Sequence, residues 1–77
     1  MLITIKYFGQ IAEITQLEEE SLEVLGTRIS ELILVLHQKY PELKNKNFKI
    51  AQHQQLVSTE TILTGKEIAL LPPFAGG

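Results

Sequence analysis

The sequence predicts a two-layer α+β domain in which one helix covers one face of a sheet, with the element order β-β-α-β-β-β. Three observations predict it. An apolar stripe at helical spacing lies between residues 29 and 40, short segments on both sides of it alternate apolar and polar residues, and the 77 residues allow one domain. Since one helix cannot cover both faces of a sheet, we expect the second face to be mostly polar.

Five short segments have the pattern of strands, because β-branched, aromatic or other apolar residues alternate with polar ones. The first two are predicted over Leu2–Phe8 and, more weakly, Ser21–Leu25, with an irregular connection between them. The remaining three are predicted over Phe48–Ala51, Leu56–Ser58 and Glu67–Leu71, the last one directly after a glycine turn.

The helix is the clearest element. Its apolar stripe consists of Ile29, Leu32, Ile33, Leu36 and Tyr40. Thr27 is the expected N-cap, because its hydroxyl can accept a hydrogen bond from a first-turn amide. Pro41 disfavours helical geometry at Tyr40, so the helix should end there.

Composition excludes several classes of function. The chain has no cysteine and two histidines, so we expect no disulfide and no metal site. A net charge of −2 argues against nucleic-acid binding. No apolar run has the roughly 20 residues that span a bilayer, and the first residues lack a signal-peptide pattern. We therefore expect a cytoplasmic protein that binds no membrane.

Three large apolar residues conflict with the expectation of a polar second face. If Ile3, Ile5 and their equivalents face the helix, strand alternation places Phe8, Leu56 and Leu71 on the far face. Scattered surface hydrophobes are one interpretation, since they are ordinary in soluble proteins. The other is a patch that binds a partner protein.

The end of the chain carries the strongest signal. Its last six residues are Pro72, Pro73, Phe74, Ala75, Gly76 and Gly77. Two prolines cannot continue a sheet ladder, so we expect residues 1–71 to form the domain and residues 72–77 a flexible tail. Although a diglycine end can also be a tail without function, its thin backbone can enter a narrow channel and present a terminal carboxylate there.

The chemistry of such an end needs no side chain of this protein. A carboxylate is a poor acyl donor until adenylation supplies a good leaving group. A sulfur nucleophile can then produce a thiocarboxylate, which delivers sulfur to an acceptor. We therefore expect no catalytic residue in the chain itself other than the carboxylate of Gly77, with nucleophiles, bases and phosphate-binding groups supplied by partners.

The sequence resembles the small sulfur-carrier subunits of molybdopterin synthase, in the ubiquitin-like MoaD/ThiS family. The resemblance covers nearly the whole chain and rests on ITIKYFGQIAEI, HQKYPEL, LTGKEIALLPP and the terminal GG. It implies the β-grasp fold, a mixed sheet whose first and last strands pair in parallel. The chain departs from the family in Phe74, in the turn Thr64–Glu67, which is one residue shorter than usual, and in His53, where relatives usually carry Asn.

The resemblance also implies partners and site residues. Gly77 would be adenylated by an activating enzyme resembling ubiquitin E1, using ATP, and then thiocarboxylated from a sulfur donor. The tail would enter the large synthase subunit, in a heterotetramer, and pass its sulfur to the pterin precursor. Phe8, Leu56 and Leu71 match family residues that contact that subunit. Three alternatives stay open: sulfur delivery for thiamine or tRNA thiolation, attachment to lysines as a protein modifier, and an interaction module with an inert tail.

Overall fold

The computed structural model describes residues 1–73. Its elements in chain order are β1 (Leu2–Tyr7), α1 (Gln10–Thr15), β2 (Glu19–Glu23), α2 (Ile29–Lys39), a 3₁₀ helix (Pro41–Asn45), β3 (Lys49–Gln52), β4 (Gln55–Val57) and β5 (Glu67–Leu71). The predicted order of strands around the main helix is confirmed, and so are the bounds of β5. Among the described residues, no helix is long and apolar enough to cross a membrane.

The five strands form one mixed sheet in the order β2-β1-β5-β3-β4. β1 and β5 pair in parallel at the centre, and the other neighbours are antiparallel. Because the central strands run in the same direction, β5 ends at the same end of the sheet as β1. This is the β-grasp arrangement that the resemblance implied.

One face of the sheet forms the core with α2. Alternate residues of β1 and β5 point to this face, and the stripe of α2 packs against them, as the periodicity predicted. The fully buried side chains of these elements are Ile3, Ile5, Ile68, Leu70, Ile29, Leu32 and Leu36. Burying an aliphatic side chain stabilises a fold by about 1.5–3 kcal/mol, so this layer is the main source of stability.

The prediction of an irregular connection after β1 was wrong, because residues 10–15 form the short helix α1. Ile11 and Thr15 lie one turn apart and are both buried, which turns one side of α1 toward the core. Two residues with positive φ bound it, Gly9 (59°) before it and Gln16 (62°) after it. One and a half turns are too short to establish a helical period in the sequence.

The predicted cap of the main helix was also wrong. Arg28, not Thr27, is the N-cap residue, and no side chain caps the helix. The first amides of α2 donate instead to backbone carbonyls of a distant loop, Ile29 to Thr61 at 3.0 Å and Ser30 to Thr59 at 2.8 Å. These bonds satisfy amides that a side chain would otherwise cap.

The second strand was predicted two residues too late. Its ladder with β1 pairs Leu2 with Glu23 at one end and Lys6 with Glu19 at the other. Since β1 begins at Leu2, pairing ends at Glu23 and leaves Val24 outside the strand, although its side chain is buried. The length of the partner strand, not the local alternation, sets these bounds.

Candidate functional site

The candidate site begins where the chain leaves β5. Pro72 is half-buried and Pro73 is exposed. The amide of Phe8 still donates to the carbonyl of Leu70 at 3.2 Å, which continues the parallel pairing by one bond. The two prolines have no amide hydrogen with which to extend it. The chain therefore separates from the sheet directly after Leu71.

Gly9 allows Pro72 to lie close to the body of the domain. A Cβ atom on Gly9 would lie 2.8 Å from Cγ of Pro72, which is too close for a real contact. The backbone of Gly9 also has φ 59° and ψ −134°, a combination that is essentially restricted to glycine. This glycine thus positions the first residue of the tail, a role that its place in the family motif did not reveal.

The predicted tail residues Phe74, Ala75, Gly76 and Gly77 lie outside the described residues. Their roles stay predictions.

The open face of the sheet, opposite α2, has two different halves. Over β2 and β1 it is polar, and Lys6 of β1 forms an ion pair with Glu67 at the start of β5, at 3.5 Å. Over the rest of β5 and over β3 and β4 it is apolar except for Lys49, and Phe8 adds to it at the end of β1. Phe8 is 44% exposed, Leu56 is 53% exposed and Leu71 is half-buried. The prediction that the second face of the sheet is mostly polar is therefore correct over β2 and β1 and wrong over β5, β3 and β4.

The strand register brings Phe8 and Leu71 together but keeps Leu56 apart from them. Phe8 continues β1 beside the end of β5, next to Leu71. Leu56 lies two strands away and pairs with Ala51, which in turn pairs with Ala69. Because the two alanines have small side chains, the middle of this face is a shallow depression, with Leu56 on one side and Phe8 and Leu71 on the other. We call the surface formed by Phe8, Leu71, Ala69, Ala51 and Leu56 the open-face patch.

The loop before β5 is held by Gln52, which sequence reasoning missed. Gln52 is only 4% exposed and points to the core face. Its Nε2 donates to the carbonyl of Ile62 at 2.9 Å, and its Oε1 accepts from the amides of Thr64 and Gly65 at 2.9 and 3.0 Å. One side chain therefore satisfies three backbone groups and fixes the entry into β5.

The hairpin between β3 and β4 uses two residues with positive φ, His53 (55°) and Gln54 (63°). They connect the paired residues Gln52 and Gln55, as in a two-residue turn of type I′. This turn favours Asn followed by Gly, so His53 and Gln54 hold a backbone conformation that suits other residues better. Nε2 of His53 lies 3.0 Å from Oγ1 of Thr64, so the histidine also contacts the loop before β5.

A second group that sequence reasoning missed joins β1, β2 and α2. Oε2 of Glu20 accepts hydrogen bonds from the hydroxyls of Tyr7 (2.6 Å) and Tyr40 (2.5 Å), and Oε1 accepts one from Nζ of Lys39 (2.7 Å). The two tyrosine rings meet edge to face, with centroids 6.3 Å apart. Glu20 belongs to the acidic run of the sequence, but its carboxylate connects β2 to β1 and α2 through these hydrogen bonds.

These bonds shift the pKa values of the group. Burial raises the pKa of Glu20, but the hydrogen bonds from Lys39, Tyr40 and Tyr7 outweigh burial, so the pKa lies below its ordinary value. Burial and the hydrogen bond to Glu20 raise the pKa of Tyr40 to about 12 and raise that of Tyr7 as well. The network lies on the helix side of the sheet, away from the open-face patch, and we assign it to stability.

Comparison with known proteins shows what the chain is similar to. The family model of the ThiS family matches residues 5–77. The molybdopterin synthase sulfur carrier subunit of Mycobacterium tuberculosis is 34% identical over 80 residues, which cover 97% of this chain and 96% of that protein.

Two solved structures share the fold of this chain. The putative molybdopterin converting factor subunit 1 from Pyrococcus furiosus has a TM-score of 0.86 at 22% identity, covering 95% of this chain and 98% of that chain. A chain in the complex of subunits 1 and 2 of the molybdopterin-converting factor from Helicobacter pylori has a TM-score of 0.70 at 30% identity and full coverage of both chains. With nearly the whole sequence matched by the family model and the fold shared with these structures, the chain belongs to the ThiS family.

Proposed function

We propose that this protein is the sulfur carrier subunit of molybdopterin synthase. The observation that carries the proposal is the 34% identity to the Mycobacterium tuberculosis sulfur carrier subunit along almost the full length of both proteins. The Helicobacter pylori structure supports it, because there a chain that is 30% identical was solved in complex with subunit 2 of the same factor.

The proposed reaction takes place on the carboxylate of Gly77. A carboxylate oxygen attacks the α-phosphorus of ATP and pyrophosphate leaves, which forms an acyl-adenylate on an E1-like activating enzyme. Hydrosulfide from the sulfur donor then displaces AMP and forms the thiocarboxylate. In the large subunit, the thiocarboxylate sulfur displaces an oxygen leaving group from a carbon of the pterin precursor, which forms a thioester. Water then hydrolyses this thioester, which leaves the sulfur on the precursor and restores the carboxylate of Gly77.

The body of the domain holds and orients the tail in this proposal. The chain has no cysteine, so it offers no thiol nucleophile for the reaction. The open-face patch supplies apolar surface of the kind that a partner subunit covers. ATP, the sulfur donor and the catalytic side chains belong to the activating enzyme and to the large subunit, and we expect a heterotetramer with the latter.

Intact mass spectrometry tests the reaction. The purified chain is incubated with ATP, an activating enzyme and a sulfur source, and we expect the mass change of one oxygen replaced by sulfur. A variant with one extra alanine after Gly77 is the control and should stay unchanged. An unchanged wild-type mass beside an active enzyme control would refute the proposal, and adducts on lysines of other proteins would favour a modifier.

A matched pair of substitutions tests the open-face patch. Leu56→Asp places a charge in the patch, whereas Leu34→Asp makes the same change on α2, at a leucine that is 61% exposed. We expect Leu56→Asp to weaken binding to the large synthase subunit at least about tenfold, as loss of a buried apolar contact does. Leu34→Asp should leave the affinity unchanged, and equal losses in both variants would contradict the assignment.

A further inference from the structure

A groove runs along the helix side of the domain beside the start of the tail. It lies between α2 and β3, has a volume of about 400 Å³, and is lined at one end by Pro73. Its floor is apolar and is formed by Ile33, Leu43, Phe48 and Ile50. Ile33 and Phe48 are only partly buried, so the floor is accessible. This groove is on the opposite side of the sheet from the open-face patch.

The rim of the groove is basic, although the chain as a whole is acidic. Lys44 and Lys46 line it and are exposed. Within residues 1–73, neither amine lies within 4.0 Å of a carboxylate. Lys49 also borders the groove, but it pairs with Leu71 in the sheet, so its side chain points to the open face. Glu13 and Glu42 line the next depression, on the other side of Lys46, without pairing with it at that distance. Positive charge therefore borders an apolar floor here.

The short tail keeps Gly77 near this groove. Gly77 lies four residues beyond Pro73, and a chain spans at most about 3.6 Å per residue, or about 14 Å in total. A protein that encloses Gly77 therefore comes within about 14 Å of Pro73, which lines the groove. The open-face patch ends at Leu71, two residues before Pro73, on the other face of the sheet.

We propose that the groove receives an acidic segment of the partner that encloses the tail, with one apolar side chain on the floor and carboxylates facing Lys44 and Lys46. The inference rests on the proposed function only in requiring that a partner encloses Gly77. Charge complementarity of this kind accelerates association and makes it depend on salt. The lysines would then contribute to partner selection beyond the contacts of the open-face patch.

Two charge reversals at exposed basic residues test the inference. Lys46→Glu changes the rim of the groove, and Arg28→Glu makes the same change in net charge just before α2, at a side chain that lines neither the groove nor the open-face patch. Association of the full chain with the large synthase subunit is followed by stopped flow at low and high salt. We expect Lys46→Glu to slow association at low salt about tenfold and Arg28→Glu less than about twofold.

The outcomes separate the inference from the proposed function. If the wild-type chain is thiocarboxylated and binds the subunit, but both variants associate alike, the groove assignment is wrong and the function stands. If the wild-type chain neither gains sulfur nor binds, both fail. If Phe74→Ala shifts the amide NMR signals of the groove residues in the free chain, the chain's own tail occupies the groove, which overturns the inference.

Discussion

Replacing Gln52 by methionine would test how much one buried amide contributes to this fold. The substitution keeps the length of the side chain but removes its hydrogen bonds to Ile62, Thr64 and Gly65. The amide of Gly65 is buried, and leaving it without a partner costs about 1–3 kcal/mol. The other two groups are partly buried and together add about 1–3 kcal/mol, while the apolar methionine recovers part of the loss.

We therefore expect Gln52→Met to lower the free energy of unfolding by about 2–4 kcal/mol, a large share of the roughly 4–12 kcal/mol typical of a domain of 77 residues. Urea unfolding followed by circular dichroism measures this change. Gln55→Met is the matched control, because Gln55 pairs with Gln52 in the hairpin but is exposed. If the two variants agree within about 0.5 kcal/mol, the role assigned to Gln52 is wrong.

Four further substitutions test the Glu20 network, the β3–β4 hairpin and the start of the tail. Because the folded pKa of Glu20 lies below its ordinary 4.5, its contribution to stability is complete above that pH and is lost as the pH falls through the folded value. Urea unfolding of Glu20→Gln should show a weaker acid dependence, and an identical one would contradict this. Burial and the hydrogen bond to Glu20 raise the pKa of Tyr40 from its ordinary 10.0 to about 12, so the free energy of unfolding should fall as the pH rises between these values, less steeply in Tyr40→Phe. Gln54→Gly should raise the melting temperature, because glycine adopts the positive φ at this position without the steric strain of a side chain, which costs about 1 kcal/mol. A lower melting temperature would show that Gln54 is not strained. Gly9→Ala should lower the free energy of unfolding by about 1–3 kcal/mol, more than Gly65→Ala, where an added Cβ would meet no atom closer than 3.2 Å.

The main helix and the last strand could be predicted because their signals are local. The stripe from Ile29 to Leu36 repeats at the period of a helix, and Pro41 ends the helix through its effect on Tyr40, which has φ −129° and ψ 81°. Alternation over Glu67–Leu71 predicted both the bounds of β5 and the outward position of Leu71. In each case, neighbours within one or two turns determine the structure.

The groups missed by sequence reasoning depend on partners that are far apart in the chain. Gln52 satisfies a loop that lies 10 to 13 residues further on, and Glu20 meets Tyr7 and Tyr40, which lie 13 and 20 residues away. A glutamate within an acidic run has the same local pattern whether it faces water or a pair of tyrosines. Only the packing of the sheet against the helix decides between these environments.

By itself, the sequence determined the order of the strands around the main helix, the apolar residues of the core and the unusual end of the chain, because periodicity, proline geometry and composition act locally. Tertiary structure decided that α1 forms, which strands pair, which polar side chains are buried, and that an apolar patch and a basic groove lie on opposite faces of the sheet. These features form only when segments that are distant in the chain pack together, so the pattern of a short segment does not predict them.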